Sequence, residues 1–455
     1  MNTECSPTQL EFHALGSREV VGRFDGGRIT SDGGGLLLRE VDQRLGLLGR
    51  LAACFTDYRN PNSVEHSVHS LVAQRVYGLA LGYEDLNDHD VLRADSVLAL
   101  LAGKRDVTGE DRERDRDQGY PLAGSSTLNR LELSTPASAA SDRYKKIAAD
   151  PPALDRLLVD LFIESHAKPP REIWLDLNAT DDPLHGHQKG RFFHGYYRCY
   201  CYLPLYIFCG EHLLCARLRP SNQDGAAGSV DELERIVAQI RTRWPKTRIV
   251  IRGDAGFCRE AIMGWCESNR VSYVLGLARN KRLQRALGRE MAEAQAVHEQ
   301  TGQAARRFRD FRYRTRKSWS CERRVIGKAE YLPGKANPRF VVTNLAVEPG
   351  RPEATLRKTL LRAWRDGKPH QGAAARAVCR PHQHGDAARQ SAPAVLRLVR
   401  LCADAGAAPA RTHRHPARQG AVHDHSSEAV EDRRSHPYHR AQGLAIVCHG
   451  LSLRS

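Results

Sequence analysis

Apolar residues in the first third of the chain recur at the spacing of an amphipathic helix. Between residues 31 and 103 they fall mostly three or four positions apart. The members of this series are Leu36, Leu37, Leu38, Val41, Leu45, Val64, Val68, Leu71, Val72, Val76 and Leu79. The segments AGSSTLNRLEL and PPALDRLLVDLF continue the helical period. The pattern predicts a mostly helical region over residues 1–170.

The period changes after Arg171. Short apolar runs follow in IWLDLNAT, CYLPLYIFCG and HLLCARLRPS, and such runs are typical of strands. Ser229-Val-Asp-Glu232 has the form of a capping box and predicts the start of a helix. Beyond it, TRIVIRGD and VSYVLGLA resemble strands and REAIMGWCESN resembles a helix. We therefore expect residues 171–283 to form a mixed α/β sheet with helices packed on it.

Residues 284–345 are rich in arginine and aromatic residues. The segments RFRDFRYRTRKS, RRVIGKAEYLP and PRFVVTNLA alternate in the manner of strands and predict a β insertion. Its arginine and tyrosine side chains either face DNA or belong to a solvated sheet face, and both alternatives stay open.

The charge balance favours a polyanionic partner. The chain has 69 basic and 53 acidic side chains, which gives a net charge of +16. Each Lys or Arg that neutralises a phosphate releases a counterion, so this excess is typical of nucleic-acid binding. No run approaches the roughly 18 apolar residues of a membrane span, and MNTECSPTQLEFH has no apolar signal region. These features predict a cytoplasmic protein without membrane contact.

The 12 cysteines predict reduced, mostly buried thiols, since none of them forms a CxxC pair. Zinc bound by Cys199, Cys201 and His212 is the alternative, although that spacing matches no familiar zinc site.

Two aspartates stand at the ends of predicted core strands. Asp176 lies in the first core strand, and Asp254 follows RIVIRG before a turn that Gly256 permits. Carboxylates at strand ends can meet across a sheet and hold two Mg²⁺ ions about 4 Å apart, which stabilise both oxygens of a phosphodiester displacement. The alternative is that each aspartate only caps the following turn.

Several longer segments resemble a bacterial insertion-sequence transposase of the DDE type. They are TSDGGGLLLREVD, CFTDYRNPNSVEHSV, LVAQRVYGLALGYEDLNDHD, STLNRLEL, ATDDPLHGHQKGRFFHGYYRCYCYLPLYIFCG, LLCARLRPSN and VIRGDAGFCREAIMGWCE, between about Thr30 and Leu345. The resemblance implies a ribonuclease-H-like core, an N-terminal DNA-binding region, and a β insertion before a helix with the third acidic residue. It also implies cleavage and strand transfer with Mg²⁺ or Mn²⁺ as cofactor. The implied partner is double-stranded DNA, the element's terminal repeats and a target, bound by a homodimer.

The resemblance also assigns roles to specific positions. Asp254 takes the place of the second catalytic aspartate. The family's first aspartate stands in a D-x-D-x-T pattern, where this chain has Asp176-Leu-Asn178-Ala-Thr180. If the metal ligand belongs at 178, the chain offers a neutral amide oxygen there instead of a carboxylate. The catalytic candidates are Asp176, Asn178 and Asp254, the metal ligands Asp176 and Asp254, and the further candidates Asp181 and Asp182.

Residues 346–455 differ in composition from the rest of the chain. From Arg351 onward they contain 10 of the 20 histidines, no phenylalanine and a single isoleucine, Ile446. Such a segment cannot assemble a core and is expected to be disordered. Where the family has its acidic helix, this chain has RAWRDGKPHQGAAARAV.

The missing helix is compatible with a shift of the reading frame. Read one nucleotide later, codons for residues 356–374 can spell YEKLYCARGEMENRIKEQQ, which has the family's spacing of Tyr, Arg and Glu. We interpret this as a frameshift between about Ala346 and Ala354. An authentic His- and Arg-rich tail is the alternative.

Together these features predict a DNA transposase with impaired activity, because one metal ligand is missing. The alternatives are a truncated relative that only binds the terminal repeats, and a ribonuclease-H-like nuclease with another task. Four basic residues of the helical region are candidate phosphate contacts, although solvation of a helix face explains them equally well: Arg75, Arg93, Arg105 and Arg130.

Overall fold

The structure, a computed structural model, describes residues 9–15, 18–23, 30–184 and 191–346, with side chains from residue 30 onward. The predictions about the tail and its reading frame lie outside the described residues. No helix within these ranges is both long and apolar enough to cross a membrane. An antiparallel hairpin, β1 (Gln9–Leu15) and β2 (Arg18–Arg23), belongs to a compact unit of its own.

The helical region predicted from the apolar spacing is present in the second unit. Its elements are α1 (Gly35–Leu45), α2 (Leu47–Ala52), β3 (Phe55–Asp57), α3 (Val68–Leu81), α4 (His89–Leu92), α5 (Ser96–Leu101), α6 (Ser125–Glu132), β4 (Ile147–Ala149) and α7 (Pro151–Glu164). Leu71 and Val72 of α3, Leu98 of α5 and Leu128 of α6 belong to one buried cluster. The spacing predicted the helix α3 but not its full burial, since residues 70–79 are all buried.

A mixed sheet with its helices occupies the rest of the described chain. The first elements are β5 (Glu172–Ala179), β6 (Asp182–Pro183), β7 (Phe192–His194), β8 (Cys199–Tyr202), β9 (Leu205–Cys209), β10 (His212–Arg217), α8 (Ser229–Arg243), β11 (Arg248–Gly253), α9 (Glu260–Ser268) and β12 (Ser272–Leu277). They are followed by α10 (Lys281–Ala286), α11 (Gly288–Thr301), β13 (Ala305–Tyr313), β14 (Arg323–Leu332), β15 (Lys335–Ala336) and β16 (Arg339–Thr343).

The strand order confirms the ribonuclease-H-like core. The main sheet runs β10-β9-β5-β11-β12-β16-β14-β13, and β15 pairs with β14. Strands β10, β9 and β5 pair antiparallel, whereas β5, β11 and β12 pair parallel. The β insertion is therefore not a separate sheet: β16, β14 and β13 continue the core sheet beyond β12. The first part of the predicted insertion is helical, because α10 and α11 precede its strands.

Strand β5 has one apolar face and one face that carries polar side chains. On β5, Ile173, Leu175 and Leu177 are buried in the same cluster as apolar residues of α8, α9 and β11. The alternate positions Asp176 and Asn178 are only half-buried and share the other face. The burial of one face thus determines which polar residues lie together on the opposite face.

A buried arginine connects the insertion strands to α9. Arg323 at the start of β14 is 3% exposed and donates hydrogen bonds to Glu260 and Glu267 of α9 over 2.6 to 3.0 Å. The bond from Arg323 is the main reason that the pKa of Glu260 falls from 4.5 to about 2. We infer that this pair of bidentate contacts holds β14 against the helix.

Arg323→Met is expected to destabilise the fold by roughly 2 kcal/mol at pH 7, because two carboxylates lose their donors. Urea unfolding followed by circular dichroism measures this loss. Arg289→Met is the matched control, since Arg289 is 82% exposed and pairs with Glu293 on the surface of α11. Its effect should be below about 0.5 kcal/mol.

The stabilisation by Arg323 should also depend on pH. A carboxyl whose pKa is lower in the folded state stabilises the fold above its unfolded pKa and loses that effect as pH falls through its folded pKa. The difference between wild type and Arg323→Met should therefore be full above pH 4.5 and shrink towards pH 2. A difference that stays constant over this range would contradict the role given to Glu260.

Candidate active site

Asp254 ends β11 at the carboxyl edge of the parallel strands. Its Oδ1 accepts a hydrogen bond of 2.8 Å from the backbone N–H of Gly256, so the side chain caps the short turn Ala255–Phe257. The residue is nevertheless exposed. Asp254 can therefore cap the turn and still be accessible to a ligand.

Two glycines fix the position of this turn. A Cβ at Gly276 of β12 would lie 2.9 Å from the backbone N of Ala255 and 3.1 Å from the backbone C of Asp254. A Cβ at Gly253 would lie 3.0 Å from Phe257 Cβ. Because only glycine permits approaches this close, β12 and the turn pack directly against the backbone of Asp254.

Asp176 is engaged by an arginine from the neighbouring strand. Arg252 of β11 is its partner in the parallel register, and Arg252 Nη2 donates to Asp176 Oδ2 over 2.6 Å. Arg252 Nε donates to the other carboxylate oxygen. The two side chains are 12% and 14% exposed, and the guanidinium also lies over Trp174 at 5.9 Å. The residue pattern gave no sign of this pair, although Arg252 stands only two residues before Asp254.

We infer that position 178 lies level with position 254, which follows the last residue of β11. Since Asp176 is paired with Arg252, two further residues along the parallel strands bring 178 level with 254 on the same face. The residue there is Asn178, which is half-buried and pairs across the sheet with Tyr206 of β9. Of the two positions in the Asp176-Leu-Asn178 pattern, the one that faces Asp254 therefore has no carboxylate.

Asp181 is close to the same strand ends. Burial is the main reason that the pKa of Tyr197 rises to about 12, and the charges of both Asp181 and Asp254 raise it further. These three side chains are thus electrostatic neighbours. Asp182, by contrast, belongs to β6, and its partner in the antiparallel register is Tyr202 of β8.

The described side chains do not fit a two-metal centre. Within the described ranges, no group of three or more His, Cys, Asp and Glu side chains is arranged to hold a metal ion. Asn178 is neutral, and both oxygens of Asp176 are bound by Arg252. The segment expected to supply the third acidic residue, residues 356–374, lies outside the described residues.

The alternative of a zinc site at Cys199, Cys201 and His212 is wrong, because these described side chains are not arranged as a group that could hold a metal ion. They also belong to different sheets, since β8 pairs with β6 and β7 whereas β10 is in the main sheet. The eight described cysteines are all free and five are buried, which confirms the prediction that these thiols are mostly buried. Burial raises the pKa of Cys209 and Cys258 to about 12.

The four candidate phosphate contacts differ in their surroundings. Arg75 is 4% exposed, forms a 2.5 Å ion pair with Glu132 and donates to two backbone carbonyls, so its assignment as a phosphate contact is wrong. Arg93 is half-buried with its guanidinium 3.8 Å from the Tyr120 ring. Arg105 and Arg130 are exposed. The apolar period of α3 did not reveal that Arg75 lies inside the region's core.

A family model and several solved structures match this chain. A family model described as "Transposase DDE domain group 1" matches residues 12–363. No curated protein matches the chain. Among solved structures, the cryo-EM structure of a piggyBac transposase synaptic complex with hairpin DNA is 12% identical, with a TM-score of 0.34 over 82% of this chain and 73% of that chain.

Restoring a carboxylate opposite Asp254 should create a stronger site for a hard cation. We expect Asn178→Asp to bind Mn²⁺ about tenfold or more tightly than the unaltered chain, because affinity for such ions rises with the number of charged ligands. Isothermal titration calorimetry at pH 7 measures the change. The gain should disappear when Asp254→Asn is added to Asn178→Asp.

A matched pair of replacements tests Asp176 in the same titration. Asp176→Asn combined with Arg252→Met removes both members of the ion pair and leaves no unpaired charge. Mn²⁺ affinity should be unchanged in this double variant. A loss as large as that from Asp254→Asn would make Asp176 the ligand and would remove position 178 from the site.

Proposed function

The chain belongs to the family of DDE-domain transposases, and we propose from this premise that it is an insertion-sequence transposase that binds its DNA but has lost most of its cleavage and strand-transfer activity. The family match covers residues 12–363, which is most of the chain. The proposed loss is supported by the asparagine at position 178, which the register of Asp176 with Arg252, extended by two residues, brings level with Asp254. An amide oxygen has no negative charge with which to hold a hard cation.

The chemistry explains why this loss is severe. Transposases of this type use divalent cations, which would supply an activated nucleophile and stabilise the leaving oxygen when bound. In this chain Asp254 is held in place by Gly256 and by the close approach of Gly276, so one carboxylate is positioned. Asp176 instead neutralises Arg252. Of the catalytic candidates Asp176, Asn178 and Asp254, only Asp254 would therefore offer a carboxylate outside the ion pair with Arg252.

DNA binding does not depend on these carboxylates. The family acts on DNA, and we propose that the helical region binds the element's terminal repeats through basic side chains such as Arg105 and Arg130, which are exposed. The net charge of +16 supports this assignment. We further propose a homodimer on DNA, because transposition joins two element ends, and the cytoplasm as the compartment in which a bacterial transposase meets its DNA.

The proposed frameshift accounts for the missing third acidic residue. It is supported by the composition after Arg351 and by the alternative peptide that the shifted frame permits. The family match ends at residue 363, a few residues beyond the proposed shift between Ala346 and Ala354. Residues 364–455 lie outside the match.

Purified full-length chain should shift a terminal-repeat duplex in a gel without nicking or joining it in Mg²⁺ or Mn²⁺. Affinity should fall at least about tenfold between low and moderate salt, because phosphate contacts release counterions. Denaturing gels of end-labelled DNA report cleavage. Nicking or joining by the unaltered chain would contradict the proposed impairment, and the absence of any shift would contradict DNA binding.

A repaired chain provides the positive control for this assay. It carries Asn178→Asp and the alternative peptide YEKLYCARGEMENRIKEQQ at residues 356–374. Its nicking rate should exceed that of the unaltered chain at least about a hundredfold, since groups that stabilise transition-state charge have effects of this size.

The coding DNA is expected to contain the alternative frame. Nucleotides that encode residues 356–374, read one position later, should spell YEKLYCARGEMENRIKEQQ, and the shift should lie between about Ala346 and Ala354. Sequencing the gene across Leu345 to Ala374 checks this. If these codons do not encode the alternative peptide, the frameshift explanation is wrong.

A further inference from the structure

An aromatic ribbon, residues 191–202, projects its rings into solvent. It consists of β7 and β8 and the turn between them. Phe192, Phe193, Tyr196 and Tyr200 are 41%, 58%, 84% and 49% exposed. Among the described residues twelve large apolar or aromatic side chains are exposed, and four of them are in this ribbon. A concentration of this kind is typical of a binding surface.

The rings are arranged as a surface and not as isolated side chains. Phe193 and Tyr200 are direct cross-strand partners with ring centroids 5.5 Å apart. In the turn, Tyr196 and Tyr197 are 5.0 Å apart with their planes at 87°. His194 lies 4.9 Å from Tyr197. The first two pairs are edge-to-face, whereas the planes of His194 and Tyr197 are tilted by 44°.

The backbone holds the ribbon in one conformation. Arg198 has a φ of +56°, which is uncommon for a residue other than glycine, and its N–H donates to the carbonyl of His194 over 2.8 Å. Ser221 Oγ donates to the carbonyl of Phe192 over 2.9 Å. On the other edge, β6 pairs with β8. The exposed rings therefore lose little further freedom when a ligand binds.

The charge of the ribbon selects an anionic ligand. Residues 191–202 contain Arg191 and Arg198 and no Asp or Glu. The Arg191 guanidinium lies 4.7 Å from the centre of the Tyr200 ring, and Arg198 is exposed at the turn. Aromatic faces between cationic groups match the stacked bases and phosphates of an unpaired strand.

The ribbon is close in the chain to the end of β5, which carries Asp176 and Asn178. Its strand β8 pairs with β6, and β6 begins three residues after the last residue of β5. A strand that stacks on the ribbon would therefore lie near the end of β5.

We propose that the aromatic ribbon binds unpaired nucleotides next to the candidate active site, by stacking on Phe193, Tyr196 and Tyr200 and by pairing with Arg191 and Arg198. This rests on the proposed function, because it takes DNA as the partner. It goes beyond that proposal in naming the form of the DNA, an end with a single-stranded extension. A blunt duplex keeps its bases stacked inside the helix and offers the ribbon only its terminal pair.

Two DNA probes test the proposal on the full-length chain. One is a labelled blunt duplex of about 20 base pairs, and the other is the same duplex with a single-stranded extension of about six thymidines, within the size range of single-strand sites. Fluorescence anisotropy should give roughly tenfold tighter binding of the extended probe. Phe193→Ala and Tyr196→Ala should each weaken that binding roughly 5- to 100-fold and leave the blunt duplex unaffected.

Matched variants separate stacking from other effects. Tyr196→Phe keeps the ring and should retain the preference. Tyr144→Ala removes another tyrosine that is 59% exposed and lies 5.0 Å from an arginine, Arg143, but is outside the ribbon, so it should also retain the preference. Because these side chains are exposed, all variants should keep the wild-type melting temperature.

Several outcomes would overturn the proposal. One is that the wild type binds the two probes with equal affinity, and another is that the alanine variants lose equal affinity for both. Either result would exclude single-strand stacking and would leave the proposal of duplex binding intact. Two further results would assign the ribbon to another partner, if Tyr196→Ala also leaves the probe preference unchanged. Self-association in analytical ultracentrifugation that is lost in this variant would indicate a second copy of the chain. Binding to phosphatidylcholine vesicles that is lost in this variant would indicate a membrane. Absence of binding to either DNA would contradict the proposed function as well.

Discussion

The parallel pairing of β5 with β11 is the constraint on which the candidate site depends. The apolar residues of both strands, among them Leu175 and Ile251, are buried in one cluster with α8 and α9. A slip of one residue would expose them and bury their polar neighbours, so the core sets the register. The same register places Arg252 beside Asp176. Packing on one face of the sheet thus determines the electrostatics of the other.

Much of the basic charge is used inside the molecule. Arg75 pairs with Glu132, Arg217 with Asp155 and Glu232, and Arg323 with two glutamates of α9. Each of these pairs connects elements that are distant in sequence. Partly buried pairs of this kind constrain how elements meet, and they leave those arginines unable to contact DNA phosphates. The net charge therefore overstates the number of arginines available to a nucleic acid.

Regular elements were predictable from the sequence because burial of one face imposes a period. The helix at residues 68–81 and the strand at residues 248–253 follow from that rule. The predicted cap at Ser229 was wrong: Gly228, with a φ of +70°, precedes the helix, and Ser229 makes no capping bond. Periodicity also does not report ion pairs such as Asp176 with Arg252, the pairing of the insertion strands with the core sheet, or the exposure of the aromatic ribbon, since all of these depend on contacts between distant segments.

The position of β16 has a consequence for synthesis of the protein. This strand, Arg339–Thr343, comes last among the described elements, yet it lies between β12 and β14 in the sheet. While the chain is still emerging from the ribosome, both of those neighbours have an open edge, which is a template for aggregation. A change of frame just beyond Ala346 would come after this closing strand has been translated. Every strand of the main sheet would then be present, whereas an earlier change would remove β16 and leave the facing edges of β12 and β14 unpaired.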